Sequence, residues 1–356
     1  MHATTVGVDL AKNVFEVAVA DEGYRVIRRA RLTRARFEQF CAQQPVSVFV
    51  MEACGSAHHW GRRLRALGHE VRLLPAQYVR AYVKRNKTDQ ADAAALIEAS
   101  RSEEIVAVPV KTIEQQSLQQ LHRLREQYKS TRHARINLLR GCLREYGIVI
   151  PTGVGRGIAA MREALQIADN GLPDAIRPWV QEVLEEIGRL HEPMQRIERQ
   201  LKESTREDEL VQRWLQAPGI GLLGATAVRA QVGDLQRFRS GRHFASYLGI
   251  PAREDSSGER RRLGRMSKRG DVYLRTLLIH GARSALSAAK RAEKAGRRLD
   301  ALRTWALNTE RRIGMNKATV ALANKLARTL WAMAKYERRF DGNWSVQAEP
   351  AMSAAA

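Results

Sequence analysis

The chain has 356 residues, and its 60 Lys and Arg residues outnumber its 38 Asp and Glu residues to give a net charge of +22. So large an excess favours a polyanionic partner, and nucleic acid is the leading candidate. A membrane partner is not expected, because no apolar run approaches the roughly 18 to 20 residues of a spanning helix. The opening residues MHATTVGVDL do not resemble a signal peptide. We therefore expect a globular cytoplasmic protein associated with the nucleoid.

The first hundred residues change period several times, as in an α/β domain. Five segments are predicted strands: TTVGVDLA, VFEVAVAD, YRVIRRARL, VSVFVMEA and EVRLLP. Helices are predicted to open at Thr33 and at Ser56, and the second should stop at Gly68. Short links between the first three strands, followed by alternating helices and strands, predict a mixed sheet with an antiparallel edge over residues 1–105.

Residues 106–210 carry helical patterns instead of strand patterns. The apolar positions in the second half step alternately by three and four, which is the seam of a coiled coil. These seam positions are Val180, Val183, Ile187, Leu190, Met194, Ile197 and Leu201. Pro193 should kink or divide this helix. Two interpretations stay open, because the seam could pair with another subunit or pack on its own domain.

Residues 211–340 form a third predicted domain, mainly α, with helices over 271–290 and 316–337, and residues 341–356 are expected to be a flexible tail. The domain opens with PGIG at 218–221. Gly219 and Gly221 could form the hairpin of a helix-hairpin-helix, in which backbone N–H groups meet a phosphate. The same residues could equally be an ordinary helix start.

Four carboxylates form the first candidate site. Asp9 and Glu52 end the first and fourth predicted strands, so both should lie at one edge of the sheet. Asp89 and Asp92 share one face of the helix that begins near Thr88. Carboxylates this close would repel one another without a cation, and oxygen ligands suit Mg²⁺ or Mn²⁺. The sequence therefore predicts a metal-dependent phosphoryl-transfer site.

Two groups of basic residues are candidates for holding nucleic acid. One precedes the helical carboxylates and comprises Lys84, Arg85 and Lys87. The other lies in LGIPAREDSSGERRRLGRMSKRGDVYLR and comprises Arg260, Arg261, Arg262, Arg265, Lys268 and Arg269. In the same loop Ser257 precedes Gly258, so a tight turn could present its hydroxyl as a nucleophile.

Taken together, VGVDLAK, MEACGS, RNKTDQADA, PGIG, FASYLGIPAREDSSG and RMSKRGDVYLRTLL resemble the DEDD transposases of the insertion sequence 110 family. The resemblance implies a RuvC-like domain of ribonuclease H type, a helical coiled-coil insertion, and a C-terminal transposase domain. It makes Asp9, Glu52, Asp89 and Asp92 the metal-binding tetrad and Ser257 the nucleophile, although adjacent Ser256 leaves the register open by one residue. It also implies an RNA-guided recombinase whose serine and tetrad form a composite site.

Two other functions remain alternatives on sequence alone. One is a RuvC-like nuclease that uses water and in which Ser257 is only a turn residue. The other is a basic nucleic-acid-binding protein without catalysis. Joining two DNA partners requires at least two active centres, so a recombinase should be a homo-oligomer assembled partly through the helix at 180–201.

Overall fold

The structure is a computed structural model that describes residues 4–82, 89–258, 260 and 262–343, without the side chains of residues 89 and 90. The chain divides into two compact units, Met1–Gln116 and Ser117–Ala356. The three-domain division expected from the sequence stays a prediction. None of the described helices is sufficiently long and apolar to cross a lipid bilayer.

The N-terminal unit contains the predicted mixed sheet. Its strands are β1 (Thr5–Asp9), β2 (Val14–Ala20), β3 (Val26–Thr33), β4 (Val48–Glu52) and β5 (Glu70–Leu74). Its helices are α1 (Arg34–Gln43), α2 (Ala57–Ala66), α3 (Ala76–Val79) and α4 (Asp89–Ser100). The strand order is β3-β2-β1-β4-β5, with β2 antiparallel to β1 and β3, and with β4 parallel to β1 and β5. The predicted strands and the antiparallel edge are therefore confirmed.

The helix starts follow the sequence only in part. Thr33 is the N-cap of α1, and its hydroxyl accepts a hydrogen bond from the backbone N–H of Arg36. Ser56 also precedes α2, but it has a φ of 66° and makes no side-chain cap. The predicted helix start at Ser56 is therefore confirmed, but its side chain makes no cap hydrogen bond while the residue is in the left-handed conformation. Gly68 has a φ of 87° after α2, as the stop signal predicted.

The two faces of the sheet are covered by different helices. On one face, Phe15, Phe37, Phe49 and Trp60 form an aromatic core with α1 and α2. On the other face, small residues such as Ala18 and Ala20 pack against Ala93 and Ile97 of α4. Small side chains on this face allow α4 to approach the sheet closely, and that approach positions the candidate site.

The C-terminal unit is mostly helical, as predicted. Its long helices are α5 (Ile113–Glu145, which begins in the N-terminal unit), α6 (Val154–Gln166), α7 (Arg177–Arg189), α8 (His191–Ser204), α12 (Val272–Lys294), α13 (Ala301–Ile313) and α14 (Met315–Lys335). Its shorter elements are α9 (Glu209–Trp214), α10 (Leu222–Gln231), α11 (Gly241–Tyr247), β6 (Ala252–Glu254) and β7 (Leu263–Met266). The β6–β7 hairpin lies where the sequence indicated only a loop.

The predicted seam is divided between α7 and α8, which end and begin on either side of Leu190. Pro193 lies in the first turn of α8, where its missing N–H breaks no intrahelical hydrogen bond, so the predicted division is confirmed. The seam packs within the chain: Val180 and Ile187 share a core with Leu139 of α5, and the other half packs near the start of α5. This is the packing that was weighed against pairing with a second subunit.

Candidate carboxylate site and serine hairpin

Asp9 lies on the face of the sheet that α4 covers. Side chains alternate along β1, so Asp9 shares a face with Gly7. A Cβ on Gly7 would lie 2.2 Å from the carbonyl oxygen of Ala93, which shows how closely α4 crosses β1. The last residue of α4, Ser100, lines a cavity with Thr5, the first residue of β1. The helix therefore runs opposite to β1, and its N-terminal turn lies at the end that carries Asp9.

Glu52 reaches the same level of the sheet through β4. In the parallel pairing Met51 is opposite Val8, so the next residues, Glu52 and Asp9, are also adjacent. Because side chains alternate along β4, Glu52 lies on the same face as Val50, which packs against α4. The Cys54 thiol lies close enough to both carboxylates to be affected by their charge. Burial is the largest cause of its raised pKa, and the negative charges of Glu52 and Asp9 raise it further. The predicted convergence of these two strand ends is thus present.

Asp92 contributes the third carboxylate, from the residue before Ala93. Its Oδ1 atom is buried and has no hydrogen-bond partner. A buried carboxylate oxygen without a donor is costly unless a cation satisfies it. Asp89 begins α4 one turn earlier, and its side chain is outside the described part of the structure, as are Lys84, Arg85 and Lys87.

The oxygen-only donors fit a hard divalent cation, and the unpartnered Asp92 oxygen is the observation that supports such an ion. Among the described residues, however, no three Asp, Glu, His or Cys side chains are gathered closely enough to hold a metal. The described residues therefore place Asp9 and Glu52 on one face of the sheet and Asp92 in the first turn of the helix that covers it, without a closed ligand cage.

Sequence reasoning missed one acidic residue beside this site. Glu16 on β2 is paired directly with Asp9 and lies on the same face. It is buried, and its Oε1 lies 3.4 Å from Nε of Arg31, its partner on β3. The available signal was a single charge inside the apolar strand VFEVAVA, which marks a buried polar residue that needs a partner.

The serine pair lies in the β6–β7 hairpin, where the two hydroxyls are in different environments. Ser256 Oγ donates to Glu254 at 2.9 Å and accepts from the backbone N–H of Arg262 at 3.1 Å. Ser257 is held through its backbone in a bridge with Arg260, and Gly258 follows with a φ of 56°. Among the described contacts, the Ser257 hydroxyl makes none. Both serines are exposed, but the hydroxyl of Ser256 is engaged in hydrogen bonds within the hairpin whereas that of Ser257 is not among the described contacts.

The basic residues of this segment are exposed along the hairpin and the chain after it. The described members are Arg260, Arg262, Arg265, Lys268 and Arg269, and Arg261 is outside the described residues. An exposed row of this kind can contact several phosphates.

PGIG joins α9 to α10 and supplies the N-cap of α10 at Gly221. Gly219 has a φ of 81°, and a Cβ there would lie 2.3 Å from the carbonyl oxygen of Gly281 on α12. The first glycine is therefore explained by close packing against α12. Gly221 has open space around it, so the packing does not explain the second glycine.

A buried hydrogen-bond chain fixes α10 and α12 to α5. The Thr226 hydroxyl donates to the Leu222 carbonyl at 2.6 Å, so it accepts from Nε2–H of His122 at 2.9 Å. Nδ1 of the neutral imidazole then accepts from the Tyr273 hydroxyl at 2.9 Å. Burial, together with the charge of Arg125, lowers the pKa of His122 to about 4, and burial raises that of Tyr273 to about 12.

Comparison with known proteins identifies the family. Residues 211–297 match the model of the transposase IS116/IS110/IS902 family, and residues 6–148 match a DEDD transposase model of the IS110 type. A probable family 20 transposase of Pseudomonas aeruginosa is 42% identical, with 95% of this chain and 98% of the relative covered. The transposase for insertion sequence element IS1111A of Coxiella burnetii is 38% identical, covering 92% and 88%. The transposase for IS1328 of Yersinia enterocolitica is 34% identical, covering 93% and 97%.

The chain belongs to the IS116/IS110/IS902 family of transposases, enzymes that act on DNA. This confirms the family resemblance inferred from the motifs. It also removes the alternative of a basic binding protein without catalysis, for which the acids would only be structural.

Proposed function

We propose that this protein cuts and rejoins DNA strands of an insertion sequence with a Mg²⁺- or Mn²⁺-dependent carboxylate tetrad and a serine nucleophile, guided by a structured RNA encoded beside the gene. The observation that supports the proposal is that Asp9 and Glu52 end neighbouring strands on the face of the sheet that α4 covers, and that Asp92 in the first turn of α4 has a buried oxygen without a hydrogen-bond partner. The strand order supports a ribonuclease H-like class, since its antiparallel half and parallel half meet at β1. The guide RNA is supported by the family resemblance and by the excess of positive charge.

Asp9, Glu52 and Asp92, with Asp89, would hold the cation. When bound, a divalent cation supplies charge stabilisation to the oxygens of an in-line phosphoryl displacement. The protein contributes the fixed end of the sheet and the first turns of α4, which prevent the carboxylates from separating. Cys54 is a poor candidate ligand, because burial and the two nearby carboxylates raise the pKa of its thiol.

Ser257 is the proposed nucleophile because the hydroxyl of Ser256 already makes two hydrogen bonds, with Glu254 and with the backbone N–H of Arg262. Its Oγ forms a bond to phosphorus while the bond from phosphorus to the leaving sugar oxygen breaks, and the serine proton is transferred to solvent. The released strand end takes up a proton as a hydroxyl. In the return step a hydroxyl of the partner strand attacks the phosphorus and gives its proton to solvent, while the bond from phosphorus to Ser257 Oγ breaks. Ser257 takes up a proton as it is released, so no phosphodiester is hydrolysed.

The positive residues around the two sites would hold the DNA. The proposed nucleophile is followed in sequence by Arg260, Arg261, Arg262, Arg265, Lys268 and Arg269, and the tetrad helix is preceded by Lys84, Arg85 and Lys87. Gly219 and Gly221 are the other proposed nucleic-acid contacts, through backbone N–H groups at the start of α10. The proposal also includes a homo-oligomer, because joining two DNA partners requires at least two active centres, and a coiled-coil arm within residues 106–210.

The test is to express the protein with its native flanking DNA, denature the cell contents, and search by mass spectrometry for a nucleotide on the peptide containing Ser256 and Ser257. We expect the adduct on Ser257, and we expect it to vanish in Asp9→Ala. Joining should be lost in Asp9→Ala and in Ser257→Ala while nucleic-acid binding is retained. An adduct on Ser256 would move the nucleophile by one residue.

The second candidate is the water-using nuclease, which the carboxylates alone would also support. Ser257→Ala separates the two functions, because a nuclease would cut normally without that hydroxyl. Recombination by Ser257→Ala would exclude the serine mechanism, and recombination by Asp9→Ala would exclude the carboxylate site.

A further inference from the structure

The edge strand β3 carries arginines on both faces, and the pairing register separates them. Arg29 is opposite Ala18 and Arg31 is opposite Glu16, so both share the face that carries Asp9. Arg28 is opposite Val19 on the other face, where its guanidinium lies over Phe40 at 5.8 Å.

A single row of charges therefore crosses the sheet from its edge to the carboxylates. In the direction of β3 to β4 it consists of Arg31, Glu16, Asp9 and Glu52. Neighbouring strands are about 4.8 Å apart, so Arg31 lies about 10 Å from Asp9.

The ion pair with Glu16 orients Arg31 without occupying it. The Glu16 side chain is only 11% exposed whereas that of Arg31 is 72% exposed, so the contact satisfies a buried carboxylate and leaves the guanidinium at the surface. The contact uses Nε of Arg31, and the terminal Nη1 and Nη2 nitrogens are not part of it. Those terminal N–H groups have the fork geometry that suits a phosphate.

We propose that Arg29 and Arg31 on the carboxylate face of β3 bind the phosphates of the DNA strand that enters the tetrad, with Glu16 as the positioning residue for Arg31. The inference rests on the proposed function, because it takes the tetrad as the place where the strand is cut. If the reacting phosphate of the strand lies at the carboxylates, its neighbouring phosphates extend toward the edge of the sheet. The positive charges of Arg29 and Arg31 are complementary to those neighbouring phosphates.

The test compares two double variants of the full-length protein that lose the same charge on opposite faces. Arg29→Ala/Arg31→Ala changes the proposed surface. The matched control is Arg28→Ala/Arg36→Ala, since Arg28 lies on the other face of β3 and Arg36 lies on α1, which covers that face. Binding of a fluorescein-labelled single-stranded DNA is measured by anisotropy in EDTA at several salt concentrations. The same measurement is made with a labelled RNA of the same sequence. We expect the first variant to bind DNA roughly 10-fold or more weakly and to reduce the salt slope by about 1.4, since two phosphate contacts to a single strand are lost. The control should change affinity less than about threefold.

Two further variants sharpen the result. Arg29→Lys/Arg31→Lys keeps the charge but loses the fork, so it should recover only part of the affinity. Asp9→Ala should bind DNA like the unchanged protein, which separates this inference from the proposed function. If Asp9→Ala still recombines while Arg29→Ala/Arg31→Ala loses DNA binding, the carboxylate mechanism fails and the surface stands.

Three outcomes would overturn the proposal. Unchanged DNA binding by Arg29→Ala/Arg31→Ala would make these arginines structural. An equal loss in the matched control would reduce the effect to net charge. A loss confined to RNA would assign the surface to a guide strand instead of the DNA strand.

Discussion

The buried histidine of the C-terminal unit illustrates how one residue can couple stability to pH. His122 is 1% exposed and connects α5 to α10 and α12 through its two ring nitrogens. Its pKa is lowered from 6.5 to about 4, so the unfolded chain binds a proton more readily than the folded chain. The neutral imidazole is therefore favoured in the fold, and acidification opposes it.

We predict a loss of stability between pH 6.5 and pH 4 that depends on His122. A group with a depressed folded pKa is neutral in both states above pH 6.5, and its penalty grows as pH falls toward 4, to about 3 kcal/mol. His122→Gln should be less stable at pH 7, because one hydrogen bond is lost, yet lose less on going to pH 5. Urea midpoints of both proteins at the two pH values measure this. Equal pH dependence in the two proteins would show that other groups cause it.

Asp92 is a proposed metal ligand whose burial is expected to lower stability when no cation is bound. Its buried Oδ1 atom has no hydrogen-bond partner among the described residues, so nothing there offsets the cost of its burial. Asp92→Asn should therefore be at least as stable as the unchanged protein in EDTA. It should also lose the stabilisation by Mg²⁺, which is about 2.7 kcal/mol at a concentration of 100 times Kd.

Thermal unfolding with and without Mg²⁺ measures this prediction, and Glu98→Gln is its control. Glu98 lies on the same helix α4, exposed and paired with Arg101 at 2.9 Å. Its variant should keep the full response to Mg²⁺. A response that survives in Asp92→Asn would place the cation elsewhere.

At the scale of elements, two glycines distant in sequence allow a loop and a helix to meet. The carbonyl oxygens of Gly219 and Gly281 would lie 1.9 to 2.3 Å from a Cβ on the opposite residue, so neither side can accept a methyl group without moving backbone. This contact holds the turn between α9 and α10 against α12.

Gly219→Ala and Gly281→Ala should each destabilise the protein by about 2 kcal/mol or more, because the clash involves backbone and Gly219 also needs a positive φ. Gly224→Ala is the matched control. Gly224 lies inside α10, where the nearest atom to an added Cβ is 3.8 Å away. This substitution should stabilise the fold by about 0.5 to 1 kcal/mol. Denaturant midpoints of the three variants test this, and a neutral Gly219→Ala would show that the loop can separate from α12.

At the scale of the whole molecule, the seam of α7 and α8 bears on assembly. Arg125–Glu198 at 2.7 Å and Arg135–Glu186 at 2.6 Å join α5 to these helices beside the buried seam positions. The apolar seam is thus satisfied within one chain. A homo-oligomer remains expected from the proposed reaction, but this seam does not need a second subunit to be buried.

We predict that Ile187→Ala lowers stability by about 2 to 4 kcal/mol, as for a large-to-small change in a core. The loss should be the same at low and high protein concentration, because the contact is made within the chain. Unfolding measured over a hundredfold range of concentration tests this. A loss that shrinks at high concentration would assign the seam to an intersubunit coil.

The sequence by itself determined the local elements and the chemistry of their ends. Alternating and helical periods are properties of neighbouring residues, so the five strands, the helices of residues 112–210 and the division near Pro193 could be predicted. The shared sheet edge of Asp9 and Glu52 could be predicted because both residues end a strand in the sequence. Family motifs then identified the protein as a transposase.

Only the tertiary structure decided which distant residues share a face. Glu16 and Arg31 join the Asp9 row because pairing register is set by contacts between strands, and no local pattern in VFEVAVA or VIRRARLT fixes that register. The different environments of Ser256 and Ser257 depend on a hairpin that closes between Glu254 and Arg262. Long-range packing chose these arrangements, because the burial and pairing that stabilise them are made between segments far apart in the chain.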